Sequence, residues 1–159
     1  MAKKILALFL CLALSSVLWL QFIPGVAAAE PVASGTCGKN LTWSLDADGV
    51  LTVSGSGAMN DYSGSSAAPW GTQIKAVVVQ NGVMSIGNAA FRDCKELTSI
   101  VLPEGVRHIG TSAFYGCAGL TEVSIPETVE SIGDSAFSDC TALTTVALPS
   151  AVTTIAAYT

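Results

Sequence analysis

The sequence predicts a β-rich repeat solenoid of 23-residue units behind an N-terminal β-hairpin cap. Each unit adds a short strand to a parallel sheet and a short helical turn. Three observations carry this reading. Residues 85–94, 108–117 and 131–140 read SIGNAAFRDC, HIGTSAFYGC and SIGDSAFSDC, each starting 23 residues after the one before. Each unit closes on alternating apolar residues ended by a proline, as in Ile100-Val101-Leu102-Pro103. The segment ahead of the repeats alternates apolar and polar residues around a glycine-bearing turn.

The chain opens with Ala2-Lys3-Lys4, an almost unbroken apolar run over residues 5–23, Pro24-Gly25, and Ala27-Ala28-Ala29. A basic start, an apolar stretch and small residues before Glu30 form a secretory signal peptide over 1–29, cleaved after Ala29. An uncleaved anchor is the alternative, since about 20 apolar residues can span a bilayer. Pro24 and the alanines favour cleavage, which leaves no membrane span. Cys11 lies too early in the run for a lipid-modified cysteine at a processing site. Without Lys3 and Lys4, five cations face twelve acids, a formal charge of −7 on residues 30–159. Nucleic acid selects for basic patches, so it is excluded as a partner, as are anionic membrane surfaces.

Residues 30–75 read as an N-terminal β cap. Leu41-Thr-Trp43-Ser-Leu45 and Val50-Leu51-Thr-Val53-Ser54 flank Ala47-Asp48-Gly49, which predicts a hairpin. A terminal unit unlike the repeats covers a solenoid's open end. Stepping back 23 residues from Leu97, Ile100 and Leu102 reaches Ile74, Val77 and Val79, and Ala68-Pro69-Trp70 falls near the Phe block. The cap therefore ends in a degenerate repeat. Tyr62-Ser-Gly-Ser-Ser-Ala67 is an exposed loop.

Residues 76–159 hold three full units and a truncated fourth. Phe91, Phe114 and Phe137 coincide, as do Cys94, Cys117 and Cys140, and Leu97, Leu120 and Leu143. Val83, Val106, Val129 and Val152 form another column, as do Ile86, Ile109, Ile132 and Ile155. Ile100, Val123 and Val146 match, then Leu102, Ile125 and Leu148, then Pro103, Pro126 and Pro149. A unit this short cannot enclose a core alone, but stacked units share one. Strands repeating at a fixed period stack about 4.8 Å apart, and proline ends each because it cannot donate to the ladder. The Ile-Gly step predicts a turn that needs glycine's freedom. Ser-Ala-Phe and Ala-Ala-Phe fit a short helical turn that packs Phe inward. The fourth unit stops at Tyr158-Thr159 where the pattern calls for Gly-x-x-Ala-Phe. The last coil is thus an apolar, strand-bearing edge, expected in a fragment of a longer protein, in end-to-end self-association, or under a lid made by Tyr158.

Catalytic, cofactor and metal sites are all expected to be absent. Cys94, Cys117 and Cys140 share an inward column, which favours a ladder of buried free thiols over disulfides, whose geometry is demanding. Cys37 has no evident partner. Zinc is disfavoured because there is no Cys-x-x-Cys pair and His108 is the only histidine. His108 falls in the column of Ser85, Ser131 and Thr154, an outward position with no orienting partner in the spacing. Asp46-Ala-Asp-Gly49 starts like a calcium loop but lacks the later oxygen ligands in register. Ser54-Gly-Ser-Gly57 lacks the Gly-Lys-Ser/Thr ending of a phosphate loop. Glu104 with Glu127, and Asp93 with Asp139, are solvated ladders. Trp43 and Trp70 could serve a sugar, though burial in the cap is favoured.

The Ile-Gly-x-x-Ala-Phe-x-x-Cys-x-x-Leu blocks and the strand-ending Leu-Pro or Ile-Pro pairs resemble the BspA-type, or Treponema pallidum-type, leucine-rich repeat. The resemblance runs from about Ala76 to Ile155, half the chain. It implies a curved leucine-rich-repeat solenoid on bacterial surface or secreted proteins that take part in adhesion and in host or matrix binding. The expected function is a secreted or cell-surface, non-enzymatic binding module for a protein or glycan ligand. The alternative is a targeting module, or a fragment of a larger extracellular enzyme or adhesin. The candidate binding face is the outward side of the repeat strands: Thr98, Ser99 and Val101; Thr121, Glu122 and Ser124; Thr144, Thr145 and Ala147. These residues are small and mostly polar, without the Trp, Tyr or Arg that dominate contact hot spots.

Overall fold

The computed structural model describes residues 30–64, 66–152 and 156–157. The signal peptide expected over 1–29 and the sequence readings at Thr154, Ile155 and Tyr158 lie outside the described residues.

Three strands, β1 (Ala33–Gly38), β2 (Leu41–Leu45) and β3 (Val50–Gly55), make an antiparallel meander. The expected hairpin is β2–β3. Its turn is closed by Asp46, whose Oδ1 accepts the amides of Asp48 at 3.0 Å and Val50 at 2.9 Å. A short side-chain acceptor at that place does what a backbone turn would do, which accounts for the Asp-Ala-Asp-Gly run without a cation. β1 has no clear apolar alternation, and the sequence does not announce it.

The cap is continuous with the repeats. β3 pairs in parallel with β5 (Ala76–Val79), which pairs with β7 (Ser99–Val101), then β9 (Val123–Ser124) and β11 (Val146–Ala147). The result is one seven-stranded sheet, ordered β1-β2-β3-β5-β7-β9-β11. Val77 sits opposite Ile100, which is the 23-residue step that the degenerate repeat implies. A second sheet of four strands forms from β4 (Gly57–Ala58), β6 (Val83–Ile86), β8 (His108–Ile109) and β10 (Ser131–Ile132). β6, β8 and β10 fall in the Val-x-x-Ile columns. Strands of two to four residues are too short to display an alternation, so the sequence shows them only as columns.

The Ala-Phe segment differs from the helical turn expected of it. Ala90, Arg92 and Cys94 donate three residues back, to Gly87, Ala89 and Phe91. Ala89, Phe91 and Asp93 instead donate to Thr111, Ala113 and Tyr115 of the next coil at 2.7–2.9 Å. A helix would direct all these amides along its own axis. Here alternate amides reach the neighbouring coil, so the coil-to-coil ladder continues through the turn. The change of direction uses left-handed backbone at Ala89, Ser112 and Ser135 (φ 50–55°) and at Asp93 and Asp139 (φ 59–60°). Those columns hold only Ala, Ser, Asp and, at Gly116, glycine, and Asp is the non-glycine residue among them that best tolerates this region.

The Ile-Gly glycines are also there for a different reason. None of Gly87, Gly110 and Gly133 has positive φ. A Cβ on Gly110 would lie 2.6 Å from the amide nitrogen of Asn88, and one on Gly133 would lie 2.5 Å from that of Thr111. On Gly87 it would strike the Asn60 carbonyl oxygen. Each glycine is the point where one coil's backbone passes against the previous one.

Inside the coils, Trp70, Phe91, Phe114 and Phe137 stack at 5.5, 5.3 and 5.2 Å between ring centroids, with interplanar angles falling from 25° to 8°. Trp70 thus fills the aromatic place of the degenerate repeat, and its Nε1 donates to the Ala90 carbonyl at 3.0 Å. Val83, Val106, Val129 and Leu97, Leu120 are fully buried around the stack.

Phe114 is fully buried between two stacked rings, so Phe114→Ala should cost about 3–5 kcal/mol, read as a lower urea midpoint. Gly110→Ala should destabilise by about 1–3 kcal/mol. Gly64→Ala, with open space around it, should leave the midpoint unchanged; equal effects at both sites would contradict the close-approach account.

Candidate functional site

The seven-stranded sheet exposes one side. Its central outward row runs Ser34, Ser44, Thr52, Val78, Val101, Ser124, Ala147 from strand to strand. A second row one pleat away holds Ala76, Ser99, Glu122 and Thr145. Eight of the nine face residues named from sequence are exposed, and Ser99 is half-buried. They do not all remain available. Thr98 Oγ1 donates to the Lys75 carbonyl at 3.1 Å and Thr121 Oγ1 to the Thr98 carbonyl at 3.4 Å. These two hydroxyls tie each coil to the one before it. Val78 and the cap rows belong to the same surface and were not among the nine. A 23-residue step back from Val101 finds Val78, and hairpin alternation finds Thr52 and Ser44.

Between β7 and β9 the pairing reduces to Val101 opposite Ser124, whereas β5 and β7 share three opposed pairs. A groove of about 390 Å³ lies there, edged by Ser99, Val101, Glu122 and Ser124. Val101 is 59% exposed and Val78, directly opposite it on β5, is 36% exposed. Thr144 and Thr145 line a separate hollow of about 270 Å³ over Phe137, Cys140 and Leu143, where Leu148 is exposed and its column partners Leu102 and Ile125 are buried.

The thiols take inward places, and all four described cysteines are unpaired and buried. Cys117 Sγ donates to the Phe91 carbonyl at 3.1 Å and Cys140 Sγ to the Phe114 carbonyl at 3.2 Å. The ladder is therefore a set of coil-to-coil hydrogen bonds made by sulfur. Burial pushes the Cys37 thiol up to about 11 and the Cys94 thiol up to about 12, with Asp93 adding to the latter. Cys117 is raised further by burial and by its neighbours Cys94 and Cys140. A thiol held protonated is a poor nucleophile and a poor metal ligand.

His108 does have a partner. Its Nδ1 lies 2.8 Å from Ser131 Oγ, one coil away, beside an ion pair between Arg107 and Glu130. Both residues are exposed, and the pair lies on the four-stranded sheet, away from the grooves described above. It acts as a surface link between coils. Glu127 likewise accepts from the Ser150 amide and hydroxyl at 3.2 Å. Among the described residues, no group of three or more His, Cys, Asp or Glu side chains could hold a metal ion. Trp43 and Trp70 are buried and meet edge-to-face at 5.9 Å, so neither offers an open platform to a sugar ring. Among the described residues, no helix is long and apolar enough to cross a membrane.

A model of the BspA type leucine rich repeat region matches residues 65–159 in six copies. The chain is similar to the crystal structure of a leucine-rich repeat protein from Eubacterium ventriosum, at 36% identity and a TM-score of 0.59. That match covers 66% of this chain and 29% of the other. It is also similar to the T. pallidum leucine-rich repeat protein, at 26% identity and a TM-score of 0.53, over 74% of this chain and 62% of the other. The chain therefore spans under a third of the first structure and less than two thirds of the second. No curated protein matches it.

The raised thiols have a pH consequence. A thiol starts from 9.0 and ionises in the folded protein only near 11 or above. Its stabilising contribution is complete below about pH 9 and is lost as pH rises toward the folded value, because the unfolded chain releases the proton first. Urea midpoints should fall between pH 9 and 11, and Cys94→Ala should flatten that fall. Native protein should leave an aromatic disulfide reagent unreacted at pH 8 until denaturant is added.

Proposed function

The chain belongs to the BspA-type leucine-rich repeat family, and from that premise we propose that it is a secreted or cell-surface, non-enzymatic binding module. It recognises an extracellular partner through the outward side of the seven-stranded sheet. The observation that carries this reading is the groove between β7 and β9, because Ser99, Val101, Glu122 and Ser124 bring an apolar rim, hydroxyls and a carboxylate to one opening. Repeat proteins build contact surfaces from such repeated outward positions. The −7 charge of residues 30–159 suits a soluble module that avoids polyanions. The signal peptide over 1–29 supplies the route out of the cell.

The test is a panel of immobilised extracellular-matrix proteins, followed by hydrogen-exchange footprinting with whichever one binds. Protection is expected over residues 76–79, 99–101 and 122–124. Val101→Glu should abolish binding with no loss of urea midpoint, while His108→Ala should leave it unchanged. Protection confined to the four-stranded sheet would contradict the proposed face.

A further inference from the structure

Two outward columns meet at the groove. One reads Ala76, Ser99, Glu122, Thr145 and the other Val78, Val101, Ser124, Ala147. Glu122 is the single charge among these eight positions, and neither column contains an aromatic ring. Glu122 is exposed, and among the described residues neither ion pair includes it. Across the groove from it stands Val101, which is exposed, with the exposed Val78 behind it in register on β5. Glu122 stands one strand over and two residues along from Val101. With strands about 4.8 Å apart and a rise of about 3.3 Å per residue, that separation is about 8 Å.

An exposed valine facing a lone carboxylate across a groove complements a long aliphatic side chain that ends in a cation. Lysine and arginine lay their methylene stems on apolar surface and keep the charged head in a polar place. A sugar ring would lack the aromatic face against which it stacks. We infer that the groove between β7 and β9 takes a lysine or arginine side chain from a protein partner. The stem lies on Val101, and the head pairs with Glu122, flanked by the hydroxyls of Ser99 and Ser124. The inference rests on the proposed use of this sheet face and commits it to a basic protein segment over a glycan. The acidic balance of the chain favours the same partner at longer range.

The test is a titration of the 15N-labelled protein with three probes at millimolar concentration. They are the peptide Gly-Ser-Val-Lys-Val-Ser-Gly, the same peptide with Glu in place of Lys, and chitotriose. The Lys peptide should shift the amides of residues 99–102 and 122–124, and the shifts should weaken with added salt. Glu122→Gln should weaken its binding by roughly two- to fivefold, the span of an exposed ion pair. Glu104→Gln should not change it. The Glu peptide and chitotriose should leave these amides unmoved. The inference is overturned if the Lys peptide shifts nothing at the groove, if both peptides act alike, or if chitotriose alone does so. Any of those results with the matrix partner still footprinting on the sheet would leave the face standing and remove only the basic ligand. A footprint elsewhere would remove the face itself.

Discussion

The constraint on which the rest depends is the distance between successive coils. Parallel strands and stacked rings require nearly the same spacing, about 4.8 Å for the ladder and 5.2–5.5 Å for the ring centroids. All the other columns must accept it. Glycine follows Ile86, Ile109 and Ile132 because no Cβ fits between backbones held that close. Cysteine sits after the Phe because its sulfur is small enough to be buried and can still donate to the carbonyl of the coil before. Threonine on the sheet face makes a similar link from outside, at Thr98 and Thr121. Backbone, side-chain hydroxyl, thiol and ring each close the same gap.

The repeat itself was legible because one geometric demand recurs at 23-residue intervals and leaves the same residue type each time. The Phe, Leu and Val columns and the 23-residue offset of Val77 from Ile100 could be read directly. The second sheet could not, because His108–Ile109 and Ser131–Ile132 are too short to carry a periodicity of their own. The Ala-Phe segment was misleading for a different reason. Ser-Ala-Phe-Tyr has reasonable helix propensity, but the neighbouring coils offer acceptors such as the Ala113 carbonyl to the Phe91 amide, and tertiary pairing wins over local preference. Strand β1 went unread because its partner, β2, supplies the register that its own sequence does not.

The candidate site was legible in position more than in content. Outward places follow from strand alternation, so Ser99, Val101, Glu122 and Ser124 could be named before any coordinates. The single registered pair between β7 and β9 could not, since it depends on how two short strands meet in three dimensions. The hydrogen bonds of Thr98 and Thr121 were also hidden, because an exposed hydroxyl in a sequence looks the same whether it faces solvent or a carbonyl. The His108–Ser131 contact is a milder case: the two share a column, and adjacency in a column becomes contact when the side chains are long enough.

The aromatic stack has a beginning. At Trp70 the parallel overlap of rings gives way to edge-on contacts with Trp43 and Tyr62, at interplanar angles of 78° and 72°. An edge-on ring cannot be stacked upon, so the column is closed at the Trp70 end. Order in this chain therefore has a direction. The cap presents β3 as the edge on which β5 registers, and β5 in turn presents the edge for β7. A slip of register at any one interface breaks the pairing and the ring overlap there, and shifts the phase of every coil behind it.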